Sequence, residues 1–176
     1  MKSIAEMSQI EVAAYVYTHL AKKGIKVVLS GGAAVAFYSH NKYVSKDLDF
    51  VNMFFAKREK IRNTMAEIGF EELDRHFKHP DSDFFVEFPP GPLSLGNEPV
   101  RDISTIQLPT GELRLLSPTD CVKDRLAAYY HWGDLQGLYQ AELIAEVNKI
   151  DLDEIERWSE KEGMREKFLE IKARLV

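Results

Sequence analysis

The spacing of apolar residues predicts a helix near the start of the chain. Between Ile10 and Leu20, apolar residues recur three and four positions apart, which places them on one face of a helix. Two capping-box sequences precede this stripe, Ser3 to Glu6 and Ser8 to Glu11, so the first residue of the helix stays open between them. Gly24 is expected to end the helix, because glycine readily takes the left-handed conformation that follows a helix.

The pattern up to residue 116 predicts short strands alternating with helices. Short apolar runs rich in β-branched residues predict strands, whereas apolar positions at helical spacing predict helices. The predicted strands are 25–29, 44–52, 70–78 and 83–88, followed by a hairpin of 103–108 and 113–116. The predicted helices in this part of the chain are 33–38 and 55–68.

From Ser117 onward the predicted elements are all helices. Ser117 is a predicted N-cap, and Pro118 fits the first helical position. The helix that starts there is expected to run to about residue 130, with further helices at 135–147, 153–161 and 164–175. We therefore expect an α/β core over residues 1–116 and a helical C-terminal section over residues 117–176 that packs on the core.

Composition and charge narrow the classes of protein. The chain has 176 residues, of which 45% are hydrophobic and 29% charged, which is ordinary for a globular protein and excludes a disordered or collagen-like chain. Its 23 basic and 28 acidic residues give a net charge of −5, which argues against extended nucleic-acid binding or a membrane surface. Because Cys121 is the lone cysteine and no apolar run suits a signal peptide or membrane helix, we expect a cytoplasmic protein.

The first candidate for chemistry is Ser30-Gly31-Gly32, between a predicted strand and a predicted helix. Glycine lets the backbone approach a ligand closely, and the start of a helix offers unpaired N–H groups and a partial positive charge. A phosphate group suits such a place. An ordinary tight turn stays open as the alternative, and it is the commoner use of a Gly-Gly pair.

A second candidate is the sequence Asp47-Leu48-Asp49-Phe50. Alternation along a strand places both aspartates on one face and both apolar residues on the other, which must face the core. The two carboxylates are then about 6–7 Å apart at Cα, and like charges this close are unfavourable without a cation. Oxygen ligands of this kind suit Mg²⁺ or Mn²⁺, while the open alternative is a strand face with two solvated aspartates.

A third carboxylate is expected from the strand predicted at 83–88. Glu87 lies between two apolar residues, as Asp49 does, so it is held on a rigid element as a metal ligand needs to be. Asp83 is the other candidate, but it stands at the start of the strand, where an aspartate also caps turns. The five histidines show no spacing typical of a metal site.

These motifs together resemble the nucleotidyltransferase superfamily of the DNA polymerase β type. The resemblance rests on Gly31-Gly32, a following helix, the Asp47-x-Asp49 pair and the acid on a later strand, and it covers about residues 25 to 145. Ser45, two residues before Asp47, is similar to the small hydroxyl residue often found there. The small prokaryotic members, including the AbiEii-like toxins, look most similar. The resemblance implies a mixed sheet flanked by helices.

The resemblance also implies an activity, the transfer of a nucleoside monophosphate from a nucleoside triphosphate to a hydroxyl acceptor. Asp47, Asp49 and Glu87 would then be the catalytic residues and hold two Mg²⁺ or Mn²⁺ ions, one for the acceptor hydroxyl and one for the leaving pyrophosphate. The nucleotide would be bound by Ser30, Gly31, Gly32 and Ser45.

The resemblance further implies that Lys123 contacts the nucleotide phosphates, whereas its spacing alone predicts an ordinary solvated lysine on a helix. The acceptor stays open between a protein hydroxyl, an RNA end and a small molecule. Two other functions stay open as well. One is a non-catalytic protein that binds nucleotide or a partner protein through the same fold, and the other is the toxin component of a toxin–antitoxin-like system.

Overall fold

A computed structural model of the protein describes residues 2–100 and 102–176. The α-helices in these residues are α1 (Gln9–Lys22), α2 (Gly31–Tyr38), α3 (Arg58–Glu67), α4 (Pro118–Trp132), α5 (Leu135–Val147), α6 (Leu152–Lys161) and α7 (Arg165–Ile171). The strands are β1 (Val27–Ser30), β2 (Asp47–Asn52), β3 (Glu71–Leu73), β4 (His76–Lys78), β5 (Phe85–Glu87), β6 (Ser94–Leu95), β7 (Glu98–Pro99), β8 (Ile103–Leu108) and β9 (Gly111–Leu116). Short 3-10 helices cover Ile4–Glu6 and Lys172–Leu175.

One mixed sheet organises the fold, with the strand order β3-β4-β5-β2-β1-β9-β8. β1 runs antiparallel to β2 and parallel to β9, while β2 runs parallel to β5. The strands β6 and β7 form a separate antiparallel pair. The predicted α/β class with a mixed sheet flanked by helices is confirmed.

The two central strands differ in how they are covered. All four residues of β1 are buried, as expected for a strand that is covered on both faces. In β2, by contrast, Leu48 and Phe50 are fully buried, Asp49 is half-buried and Asp47 is exposed. The predicted alternation therefore holds over this segment, with apolar residues in the core and the carboxylates on the opposite face.

The single strand predicted over residues 70–78 is wrong, because the structure folds this segment as the hairpin of β3 and β4. The turn contains Asp74, whose φ of 57° is left-handed, a conformation that aspartate tolerates better than most residues. β4 continues the sheet by pairing with β5, which puts His76 directly opposite Glu87. The hairpin thus adds a strand next to the one that carries the predicted third carboxylate.

Local capping explains where the first helices of the chain begin and where α4 begins and ends. Both capping boxes form: the one at Ser3 precedes the first 3-10 helix and the one at Ser8 precedes α1. Ser117 caps α4 by accepting a hydrogen bond from the Asp120 backbone N–H at 3.1 Å, and Gly133, with a φ of 66°, ends that helix.

Of the helices after β9, α4 and α5 pack against α2, and α4 also contacts β6 and β9. The division into a core over 1–116 and a helical section over 117–176 stays a prediction. Among the helices of the described residues, none combines the length and the apolar character that a membrane span needs.

Candidate active site

Adjacent strands bring the predicted acids to one face of the sheet. Asp47 and Asp49 lie on β2, and Glu87 on β5 is the register partner of Asp49. Partners on neighbouring strands project to the same face and are separated by about 4.8 Å, so the three carboxylates share one face. We call Asp47, Asp49 and Glu87 the acid face. Asp83, in contrast, is exposed and lies in a bend before β5 begins.

A histidine joins the acid face from the next strand. His76 on β4 pairs in register with Glu87, and its Nε2 contacts Glu87 Oε1. One possible ligand atom from each of Asp47, His76 and Glu87 lies within 4.8 Å of the other two. Donor atoms around a single divalent ion are separated by about 3–4 Å, so only small side-chain movements separate this group from a metal site.

Asp49 shows the electrostatic cost of crowding these acids. Burial, and after it the negative charges of the neighbouring Glu87 and Asp47, raise the pKa of Asp49 from its ordinary value of 3.8 to about 6. The guanidinium of Arg125 acts against this rise, but it is a smaller effect than those of burial and the two acids. A carboxylate in this setting is stabilised most effectively by a cation placed between it and its neighbours.

The junction of β1 and α2 lies directly against the acid face. Gly31 has a φ of 63°, and a Cβ at this position would overlap the Asp49 carboxylate. A Cβ on Gly32 would lie 2.9 Å from Ser45 Oγ. Gly31 is therefore favoured both by its conformation and by close approach, and Gly32 by close approach alone, and together they leave the start of α2 open to the acids. Ser30 is buried, with its Oγ 3.4 Å from the Asp49 carbonyl oxygen.

Ser45 orders the chain where it enters β2. Its Oγ accepts a hydrogen bond from the Asp47 backbone N–H at 3.2 Å, and its carbonyl oxygen accepts one from Gln9 Nε2 at 2.7 Å. The serine thus touches the glycine junction on one side and fixes the backbone of Asp47 on the other. Ser45 acts here by positioning, and its hydroxyl also faces the space next to Gly32.

Lys123 lies in a different part of the molecule. Its Nζ is 2.7 Å from Glu154 Oε1 and 3.1 Å from Asp120 Oδ1, and only 4% of the residue is exposed. It lines a cavity of about 310 Å³ that also includes Glu98 but none of the acid face. Lys123 already has two carboxylate partners, and the structure does not bring it together with the three acids.

Arg125 is the cation of α4 whose charge reaches Asp49. Residues two positions apart on a helix point about 200° apart, so Lys123 and Arg125 face nearly opposite directions. Arg125 pairs with Asp124 and donates from Nη1 to Gln140 Oε1 at 3.2 Å. The spacing of these two residues was readable in the sequence, but which face of α4 meets the sheet depends on tertiary packing.

His76 belongs to no metal motif of the sequence, because such motifs depend on spacing within a single helix or turn. The pairing of β4 with β5, which brings His76 next to Glu87, joins residues eleven positions apart. A signal was nevertheless present, since an aspartate-containing turn divides the segment 70–78 into two short halves. With the hairpin recognised, His76 becomes the first residue of a strand beside β5.

Comparison with known proteins shows which fold this is. An antigenic nucleotidyltransferase-like protein from Paracoccidioides brasiliensis matches with a TM-score of 0.64 at 15% identity, over 96% of this chain and 94% of that chain. The crystal structure of ANT(2″)-Ia in complex with adenylyl-2″-tobramycin matches with a TM-score of 0.54 at 12% identity, over 97% of this chain and 100% of that chain. The solution structure of ANT(2″)-Ia, described as an antibiotic-resistance factor, gives a TM-score of 0.52 at 12% identity, over 92% and 91% of the two chains.

No protein-family model matches the chain, and no curated protein matches it in sequence. At identities of 12–15%, the structural likeness establishes the fold of nucleotidyltransferase-like proteins. The resemblance to AbiEii-like members stays a prediction.

Proposed function

We propose that the protein is a metal-dependent nucleotidyltransferase, which moves a nucleoside monophosphate from a nucleoside triphosphate to a hydroxyl acceptor. The observation that carries this proposal is the acid face beside the glycine junction of β1 and α2, on a nucleotidyltransferase-like fold. Acids at a metal site and an open helix start for phosphates are the two parts that this reaction needs within one small region.

The residues of the acid face fit divalent metal ions. Asp47, Asp49 and Glu87 supply oxygen ligands on adjacent strands, and the pKa of Asp49 is raised by its burial and by the two neighbouring carboxylates, which a divalent cation would neutralise. When bound, Mg²⁺ or Mn²⁺ supplies neutralisation of phosphate charge and activation of the acceptor hydroxyl. The register of β2 and β5 fixes the positions of these three carboxylates, so none of them depends on a flexible loop.

The triphosphate is assigned to the start of α2. Gly31 and Gly32 lack the Cβ atoms that would fill this space, and the first N–H groups of the helix offer donors for phosphate oxygens. Ser30 and Ser45 lie on either side and add hydroxyl groups. We assign the compensation of developing charge near Asp49 to Arg125 rather than to Lys123, because Lys123 would have to leave Asp120 and Glu154 to reach a phosphate.

A small molecule with a hydroxyl group is the acceptor that the chain favours. Its net charge of −5 opposes a long nucleic-acid track, which needs an array of basic residues. The fold relative ANT(2″)-Ia is known in complex with adenylyl-2″-tobramycin, so this fold accommodates an adenylylated small molecule.

Pyrophosphate release tests the proposal. The purified protein is incubated with each nucleoside triphosphate, Mn²⁺ or Mg²⁺ and a panel of hydroxyl acceptors, and pyrophosphate and labelled acceptor are measured. We expect metal-dependent release in the wild type and none in Asp49→Asn, with circular dichroism showing that the variant is folded. Nucleotide binding without release in the whole panel contradicts the proposal and supports the non-catalytic alternative.

A further inference from the structure

His76 lies at the acid face and has no role in the function proposed above. It is the first residue of β4, and the pairing of β4 with β5 fixes it opposite Glu87. The ring is also held from the side by Phe85, with ring centroids 6.0 Å apart in an edge-to-face arrangement. Two constraints, a strand register and an aromatic neighbour, therefore set the position of the imidazole.

A simple histidine–glutamate pair on the surface is the plainest explanation for this contact. That explanation accounts for Glu87 but leaves out Asp47, whose carboxylate belongs to the same group of three mutually close ligand atoms. The three donors come from three consecutive strands of the sheet, β4, β5 and β2. A second carboxylate next to a histidine–glutamate pair adds repulsion, whereas a divalent cation among the three turns the same arrangement into an attraction.

We infer that His76 is a metal ligand, which together with Asp47 and Glu87 forms a mixed nitrogen and oxygen donor set that selects Mn²⁺ over Mg²⁺. The inference rests on the proposed function only in placing a divalent metal ion at the acid face. It adds a residue that the carboxylate motif does not contain, and it names the class of metal ion that this chain takes.

The selectivity follows from the donor atoms. Mg²⁺ binds through oxygen atoms and keeps several water molecules, so an imidazole nitrogen contributes little to its binding. Transition-metal ions accept imidazole nitrogen more readily than Mg²⁺ does, and Mn²⁺ is one of those that also bind carboxylates. Loss of His76 should therefore weaken Mn²⁺ binding much more than Mg²⁺ binding.

Magnetic resonance of bound Mn²⁺ tests the inference without any enzymatic turnover. The whole protein is prepared with ¹⁵N-labelled histidine, loaded with one equivalent of Mn²⁺ and studied by pulsed EPR, which detects nitrogen bound directly to the ion. Affinities for Mn²⁺ and Mg²⁺ are measured in parallel by titration. The variants are His76→Gln and His40→Asn, where the exposed His40 serves as the control for removing an imidazole. Asn is chosen there because residue 40 has a left-handed backbone, with a φ of 52°.

The expected result is a ¹⁵N coupling in the wild type and in His40→Asn that disappears in His76→Gln. Mn²⁺ affinity should fall by about tenfold or more in His76→Gln, with a smaller change for Mg²⁺. Should His76→Gln not fold, His76→Asn takes its place, and the wild-type spectrum still decides whether nitrogen is bound.

Two other results overturn the inference and separate it from the proposed function. If the wild type binds Mn²⁺ without nitrogen coupling and Asp47→Asn abolishes that binding, His76 is no ligand, while the carboxylate site stands. If the wild type binds no Mn²⁺, or binds it as tightly as Asp47→Asn does, the metal site itself is wrong, and the proposed function fails with it.

Discussion

Two regions of this protein hold carboxylates in opposite ways. In the first, which we call the charge cluster, Lys123 and Arg157 hold the carboxylates of Asp120, Glu154 and Glu98 between α4, α6 and β7. Hydrogen bonds from Arg157, with smaller contributions from Lys161 and Lys123, lower the pKa values of Glu98 and Glu154 to about 2, whereas burial raises the pKa of Asp120. In the second, the acid face, burial and neighbouring acids raise the pKa of Asp49 to about 6.

The difference lies in the cations. Every carboxylate of the charge cluster has a basic partner, whereas within residues 2–100 and 102–176 no lysine or arginine forms an ion pair with the acid face. Ion pairs between side chains hold the helices of the charge cluster in place. Carboxylates without a lysine or arginine partner are instead suited to bind a cation from solution. We therefore propose that the first region contributes to stability and that the second binds a ligand.

The largest expected effect concerns the acid face. Glu87→Gln keeps the size of the side chain but removes a negative ligand, so nucleotidyl transfer should fall by about a thousandfold. The free energy of unfolding should change little, because the partly exposed Glu87 makes no pair with lysine or arginine. Pyrophosphate release and thermal unfolding check this outcome. Transfer at the wild-type rate in Glu87→Gln would mean that Glu87 is not a catalytic metal ligand.

The next effect concerns the charge cluster and has the opposite pattern. Lys123→Met removes a buried cation and leaves the buried Asp120 unpaired, which should lower the free energy of unfolding by about 3 kcal/mol. Mn²⁺ affinity should stay as in the wild type. Chemical denaturation and metal titration measure the two quantities.

The double variant Lys123→Met/Asp120→Asn serves as the control for this interpretation, and it should recover part of the lost stability because no buried carboxylate remains. A large loss of nucleotide affinity in a stable Lys123→Met protein would instead make Lys123 a phosphate contact and break the contrast between the two regions.

A smaller effect is expected from the protonation of Asp49 in the metal-free protein. Its pKa is about 6 when folded and 3.8 ordinarily, so the folded state binds more protons between these values, and this group lowers the free energy of unfolding as pH rises from 4 to 6. Asp49→Asn avoids this penalty and should be more stable than the wild type above pH 6, by about 3 kcal/mol. Well below pH 4 the Asp49 carboxyl is protonated in both the folded and the unfolded state, so this difference in the free energy of unfolding should disappear.

Unfolding of both proteins across this pH range, with a chelator present, gives the measurement. Added Mn²⁺ should reverse the order above pH 6, because it binds the folded wild type more tightly than the variant. Equal stabilities at every pH in the absence of metal would mean that neither burial nor the neighbouring acids disfavour the ionised Asp49 carboxylate.

The smallest effect is expected at Asp83, which tests the choice of the third carboxylate. Because Asp83 is exposed and precedes β5, Asp83→Asn should change stability by less than about 0.5 kcal/mol. Its transfer rate should stay within a factor of about two of the wild-type rate. A loss as large as that of Glu87→Gln would exchange the roles of the two residues.

Local patterns predicted the parts of the fold that local physics determines. Alternation in β2 placed Asp47 and Asp49 on one face, and the cap at Ser117 located the start of α4. The short pair β6 and β7 was missed, since strands of two residues have no period to detect. Pairings between strands distant in sequence could not be predicted either, and these are what place His76 beside Glu87.

The candidate site shows the same limit. The acids and the glycine pair were named from the sequence because a strand and a turn restrict where such residues can point. Choosing between Lys123 and Arg125 required the packing of α4 on the core, which brings one of them toward Asp49 and the other toward Glu154. Helical spacing separates the two residues but does not say which of them faces the sheet.

The most direct test of the central claim is anomalous diffraction from crystals soaked with Mn²⁺ and a non-hydrolysable nucleoside triphosphate. The account predicts a manganese peak between the carboxylates of Asp47 and Glu87, with phosphate density at Gly31 and Gly32. A peak only in the cavity beside Lys123, or no peak at saturating Mn²⁺, would contradict it.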